Sequence, residues 1–218
     1  MGIYVVDYED ENTPGTLGAS DNRAQNALFT YDGDNYTWSS ATTIYWRDKQ
    51  TPVSIYGYYP GVNYIGNPTS WQFSVETDQS TEAANGDLSG YEKSDLLWGK
   101  VPRAEFTQEQ IVVTYRHILA GIRVALEKGD GLTDEEWEKL EKIVLVDNTV
   151  VKGTADLSQG TIAVGEGVAP IRMLPQSGDT YRAVVIPQTV AAEKQLLSIT
   201  LDGQTYSHKL ESAMDYQQ

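Results

Sequence analysis

The sequence predicts an all-β fold. Three observations predict it. Tyrosine, threonine, valine and isoleucine are abundant, turn residues recur at short intervals, and only one segment carries a good helix signature. The chain has 218 residues, which allows one large domain or two small ones at roughly 100–200 residues each. That length also suffices to bury real cores.

The first clear element is VSIYGYY, residues Val53 to Tyr59. As a strand it sets Val53, Ile55, Gly57 and Tyr59 on one face and Ser54, Tyr56 and Tyr58 on the other. Both faces carry bulk, so the strand is central or covered on both sides. Pro60-Gly61 ends it. A composition shift from Gly86 to Arg103, rich in Gly, Ser, Asp and Lys, marks the best boundary region.

Next comes Glu109 to Gly129. Ile111, Val113, Tyr115, His117 and Leu119 share odd parity, whereas Ile122, Val124 and Leu126 share even parity. A strand side chain changes face at every residue, so this flip needs a bulge or a bend. Gly121 is the residue that permits one. The segment reads as one bent strand, or two strands joined at a corner between sheets.

The helix signature is LTDEEWEKLEKI. Thr133 with Glu136 forms a capping box, and the acids fall in the first turn, where the helix dipole favours them. This short helix leads into a strand at Ile143 to Asp147, followed by strands at Thr161 to Val164 and Arg182 to Ile186. Finally, LLSITLDGQTYSHKL reads as a hairpin turning at Asp202-Gly203. Pairing outward sets Leu201 against Gln204, Ile199 against Tyr206 and Leu197 against His208, with Thr200–Thr205 and Ser198–Ser207 on the other face. One face is largely apolar and the other hydroxyl-rich, so the hairpin covers a core with one face in water.

Charge and composition exclude several functions. Lys plus Arg number 16 against 31 Asp plus Glu, a formal net charge of −15. Nothing offsets repulsion from a nucleic-acid backbone. There are no cysteines, hence no disulfide framework, thiol nucleophile or cysteine-bound metal. No apolar run approaches membrane-spanning length. The start, MGIYVVDYEDEN, lacks the basic region and long apolar core of a signal peptide.

A search for chemistry finds little. His117 and His208 both lie on strands and read as structural. No Gly-x-Ser-x-Gly elbow, HExxH pair or phosphate-loop pattern is present. The loops DYEDEN (Asp7 to Asn12) and DGDN (Asp32 to Asn35) have oxygen donors of the kind calcium takes, without EF-hand spacing. Asn35-Tyr36-Thr37 matches the N-glycosylation tripeptide. The expectation is a protein with no catalytic residue, cofactor or metal.

The aromatics remain. Trp38, Trp46, Trp71 and Trp98 join many tyrosines in the first hundred residues. Such rings stack on sugars, or they cover sheets with their hydroxyls reaching water. Covering is the favoured reading. Tyr58, Tyr64 and Trp71 are the candidate ligand-contacting rings, with YIGNPTSW (Tyr64 to Trp71) the recognition loop.

GIYVVDY, VSIYGYYP, SDLLWG, VVTYRHILAGIRVAL and YRAVVIPQT occur in an order and spacing that resemble the fimbrillin-like proteins of Bacteroidetes, the type V pilins and related surface lipoproteins. The resemblance covers nearly the whole chain. It implies two tandem transthyretin-like β-sandwich domains, over residues 1–103 and 104–218. The first would lack its first strand and the second its last. It further implies an outer-membrane location through a lipid anchor outside this chain. Assembly would join other fimbrial subunits by donor-strand exchange, with host or bacterial surface protein or glycan as further partners. Family members carry a signal peptide, a lipid-modified cysteine and a strand before the GIY position, so the chain reads as trimmed. Arg23 follows GIYVVDY and is not taken as the processing site. The alternative function is a non-polymerising surface glycan-binding protein.

Overall fold

The computed structural model describes residues 1–217. In chain order the first strands are β1 (Gly2–Asp7), β2 (Ala24–Leu28), β3 (Thr30–Asp32), β4 (Thr37–Ser39), β5 (Val53–Tyr59) and β6 (Trp71–Ser74). Helix α1 (Gly90–Ser94) precedes β7 (Leu97–Ala104), β8 (Arg116–His117) and β9 (Ala120–Ala125). Helix α2 (Asp134–Lys139) leads into β10 (Lys142–Val150), β11 (Lys152–Asp156), β12 (Thr161–Val164), β13 (Val168–Arg172), β14 (Leu174–Gln176) and β15 (Thr180–Val185). The chain closes with β16 (Thr189–Val190), β17 (Gln195–Leu201), β18 (Gln204–Lys209) and β19 (Met214–Asp215). The fold is all-β, built of antiparallel sheets in β-sandwich fashion, with two short helices.

The chain divides into two units. The first comprises Met1–Gln72, Leu96–Ile118 and Thr154–Ile162; the second comprises Phe73–Asp95, Leu119–Gly153 and Ala163–Gln218. The division is interleaved, unlike a single cut between 103 and 104, because the chain passes from one unit to the other within β6, β11 and β12. The stretch Gly86 to Arg103, read as the boundary region, holds α1 and β7, and one crossing between the units falls inside it, between Asp95 and Leu96.

The main sheet of the first unit has the order β2-β1-β5-β7-β8. As its pattern demands, β5 is central, paired along its length with β1 and β7, and six of its seven residues are buried. In the second unit one sheet runs β13-β10-β17-β18 and another β14-β15-β9.

The parity flip between 109 and 129 resolves into two strands. β8 pairs with β7, whereas β9 pairs with β15 in a different sheet. The break falls at the buried Ile118 and Leu119, two residues before Gly121. Gly121 itself pairs regularly with Val184, so its conformational freedom is not used.

The predicted helix carries its capping box: Thr133 Oγ1 accepts from Glu136 N–H, and Glu136 reaches back to Thr133 N–H. A second helix, α1, was not expected. Its Ser89–Glu92 capping box has the same spacing, but the boundary-like composition around it masked the signal.

The final hairpin has the predicted register at every pair, from Leu201↔Gln204 to Leu197↔His208. Asp202 and Gly203 both have positive φ, 44° and 81°, as a two-residue primed turn requires. The apolar face is less covered than expected: Leu197, Ile199 and Leu201 are half-buried, and every residue of β18 is exposed. Ser198, on the hydroxyl face, is instead buried and donates to Asp147 Oδ2 at 2.6 Å.

Two glutamines act as surrogate strands in the second unit. β14 pairs with β15 only as far as Arg182. At Val184 the fully buried Gln79 takes over: its Nε2 donates to Val184 O at 2.7 Å, and its Oε1 accepts from Val184 N–H at 2.8 Å. Gln188 repeats the arrangement on Val150, at 3.1 and 2.8 Å. A side-chain amide offers the same donor and acceptor as a peptide group, so buried backbone stays satisfied where a ladder stops. Replacing Gln79 with Leu leaves both Val184 groups buried and unpaired, at about 1–3 kcal/mol each. The expected outcome is a loss of about 2–5 kcal/mol, read from the urea unfolding midpoint.

Candidate functional site

Paired residues of an antiparallel sheet share a face, so β5 presents two unlike surfaces. The first carries Tyr56 and Tyr58 of β5 with Tyr4 of β1. Tyr58 is fully buried, packed edge-on against the buried Trp71 with ring centroids 5.4 Å apart. Its hydroxyl donates to Asn26 Oδ1 at 2.5 Å and accepts from Val62 N–H. The ring also lies over Gly2, where a Cβ would stand 2.1 Å from it. Of the three candidate contact residues, the structure therefore joins Tyr58 and Trp71 inside the core. It leaves Tyr64 outside, 84% exposed. No platform links them, and the rings of β5 are the covering of a sheet.

The second face carries Ile3 and Val5 of β1 with Val53 and Ile55 of β5, packed with Ala24, Ala27 and Ala104. Two glycines, Gly57 and Gly99, pair at its centre. A Cβ at Gly57 would meet the Tyr115 hydroxyl at 2.2 Å, and one at Gly99 would meet Thr114 O at 2.5 Å. The missing side chains let residues 113–115 lie flat on the sheet. Opposite them run residues 44–46. This flank is held by an edge contact of Trp46 with Phe106, at 5.7 Å between centroids. It is held further by a 2.8 Å ion pair from Arg47 to the buried Asp7. Arg23 also binds Asp7, at 2.9 Å, and is fully engaged there.

Between the flanks lies a groove of about 300 Å³. Ile3, Val5, Val53 and Ile55 form its floor, Ile44 and Trp46 one wall, and Ile111 and Val113 the other. Residues 44–46 and 111–113 belong to no sheet, and no backbone-to-backbone hydrogen bond involves them among the described residues. No acidic or basic side chain lines the groove. It is shaped to receive apolar side chains and offers unpaired backbone on both sides. Sequence reasoning grouped Ile111 and Val113 on one apolar face but saw no groove, because Gly57 read as an ordinary strand residue and Gly99 as part of a boundary region.

Elsewhere the polar candidates are engaged locally. Asp10 Oδ1 accepts from the N–H groups of Asn12 and Thr13, and Asp32 Oδ1 from those of Asp34 and Asn35. These hydrogen bonds hold both carboxyls below their usual range, with Asn12 N–H the largest cause at Asp10 and the Asn35 side-chain amide at Asp32. Both acid-rich loops are thus turns closed by their own acids. Among the described residues no three His, Asp or Glu are grouped to hold a metal. His117 and His208 lie exposed on β8 and β18. Asn35-Tyr36-Thr37 sits exposed at the β3–β4 turn. No helix among the described residues is long and apolar enough to cross a membrane.

The fimbrillin-like family model matches residues 1–218. The chain belongs to the fimbrillin-like family. No curated protein sequence matches it. Solved structures with the same fold include a candidate cell adhesion protein from Bacteroides ovatus, with TM-score 0.69 and 11% identity, covering 98% of this chain and 78% of the other. Another, from Bacteroides uniformis, has TM-score 0.64 and 17% identity, covering 98% and 82%. A third, from Bacteroides thetaiotaomicron, has TM-score 0.54 and 18% identity, covering 99% and 75%. At these identities the likeness establishes the fold of this fimbrillin-like chain and nothing finer.

The close approach at Gly57 and the burial of several tyrosines each have a measurable consequence. Gly57→Ala forces the Tyr115 flank off the sheet and destabilises the fold by about 1–3 kcal/mol. In a Tyr115→Ala background the same change costs less, and a double-mutant cycle by urea denaturation measures the coupling. The second concerns alkaline pH. Burial raises the phenol pKa of Tyr4, Tyr115 and Tyr216 to about 12, against roughly 10 in an unfolded chain. Their contribution to stability is whole below pH 10 and is lost as the pH rises toward 12. Absorbance at 295 nm should show these rings ionising only as the fold is lost.

Proposed function

We propose that this protein is a structural and adhesive subunit of a bacterial surface fimbria, and that its apolar groove accepts a strand from a neighbouring subunit. One observation carries the strand-acceptor reading: an apolar sheet face is left open between segments 44–46 and 111–113, which belong to no sheet and make no backbone-to-backbone hydrogen bond among the described residues. An incoming strand would bury alternate side chains in the groove and pair its backbone with the flanks. Backbone bonding would provide affinity, and the apolar floor would set register.

Family membership and the cell adhesion assignments of the solved relatives support a place at the cell surface. The reading takes the sandwiches as transthyretin-like and the subunit as reaching the outer membrane through a lipid anchor. A structural role also fits a groove without acids, bases or nucleophiles.

These 218 residues hold no cysteine, so within them a single introduced thiol reports without background. Ile44→Cys and Val113→Cys place a thiol in the groove, and Tyr64→Cys places one on open surface. All three should react with maleimide in the isolated subunit. In assembled fimbriae the two groove thiols should lose at least tenfold in labelling while Tyr64→Cys keeps its rate. Equal labelling of the groove thiols in both states would sink strand acceptance. Absence of the protein from purified fimbriae would sink the fimbrial assignment itself.

A further inference from the structure

We propose that the β3–β4 hairpin is a stacking site for a neutral oligosaccharide. The hairpin has two strands of three residues, and five of the six are exposed. Tyr31 and Trp38 are cross-strand partners on one face, with ring centroids 5.1 Å apart and planes tilted 45°. They are 47% and 43% exposed, and Tyr36 at the turn is 82% exposed. Three large rings are thus carried outward on a projection that contributes nothing to the core.

The Tyr31–Trp38 contact accounts for the hairpin's own cohesion, since two three-residue strands are marginal without such a pair. It does not account for Tyr36, nor for leaving both paired rings open to water. Rings in that position present flat apolar faces beside polar groups, the combination that suits the mixed C–H and hydroxyl faces of a pyranose. The phenol hydroxyls of Tyr31 and Tyr36 and the exposed Asp34 carboxylate supply the polar groups, since Thr37 and Ser39 alternate with Trp38 and lie on the other face of the hairpin.

Charge selects among ligands. Residues 30–39 include Asp32 and Asp34 and no Lys or Arg, on a chain of net charge −15. Sulfated, sialylated or phosphorylated glycans meet repulsion there, and a neutral sugar does not. A bound peptide would want a groove or a long free strand edge, and a three-residue hairpin offers neither. The inference is independent of the strand-accepting groove, which lies on other residues.

The test is titration of the full chain with three neutral hexasaccharides, of glucose, mannose and galactose, followed by tryptophan fluorescence and calorimetry. Saturable binding to at least one is expected, insensitive to salt. Trp38→Ala should weaken it at least tenfold and Tyr31→Ala several-fold, while Tyr64→Ala leaves it unchanged. Because the hairpin lies outside the core, these variants should keep the wild-type urea midpoint. No saturable binding to any of the three, or binding that Trp38→Ala does not alter, overturns the proposal. So does salt-sensitive binding of a lysine-rich decapeptide that depends on Trp38 while the sugars do not bind, which would make the hairpin a peptide site.

Discussion

The first unit depends on burying β5 on both faces at once. One face uses aromatic bulk, with Tyr58 wedged between Gly2 and Trp71 and its hydroxyl tied to Asn26. The other uses absence of bulk, with Gly57 and Gly99 admitting a chain segment directly onto the sheet. The two solutions differ in completeness. The aromatic face is closed. The aliphatic face is covered by segments that contribute side chains without joining a ladder, and an open groove results.

The second unit solves a related problem by other means. Its ladders also stop short, but Gln79 and Gln188 finish them with side-chain amides. Pro170 in β13 and Pro175 in β14 place residues without an N–H donor on outer strands, a common way to blunt an edge. In one unit unpaired backbone is satisfied from within, whereas beside the groove of the other it is left open. That contrast is the physical basis of the proposal that a strand is accepted at the groove.

Much of this was legible in the sequence where the governing interactions are local. The Asp202-Gly203 turn fixed its hairpin register, Thr133 and Glu136 fixed α2, and alternation of bulk placed β5 at the centre of a sheet. The family was legible from ordered motifs. The interleaved units were not, because pairings such as Leu157 N–H to Pro68 O join residues far apart in the chain. Nor was the groove, since a glycine in a strand reads the same whether it faces water or another backbone. The ring assignments split for a similar reason: Tyr58 and Tyr64 lie six residues apart, and only tertiary packing sends one inward and the other out.

The interleaving bears on how the chain is made. The first unit needs Thr154–Ile162, whose turn is gripped by Trp98 Nε1 donating to Leu157 O at 2.7 Å and by Arg116 donating to Gly160 O at 2.9 Å. A ribosome delivers residues 119–153, which belong to the second unit, before that turn exists. Vectorial synthesis therefore cannot finish one unit and then begin the next, the usual route for tandem domains. Until residue 162 has emerged, the first unit lacks its last segment while part of the second is already exposed, the condition under which a holding chaperone has most to bind.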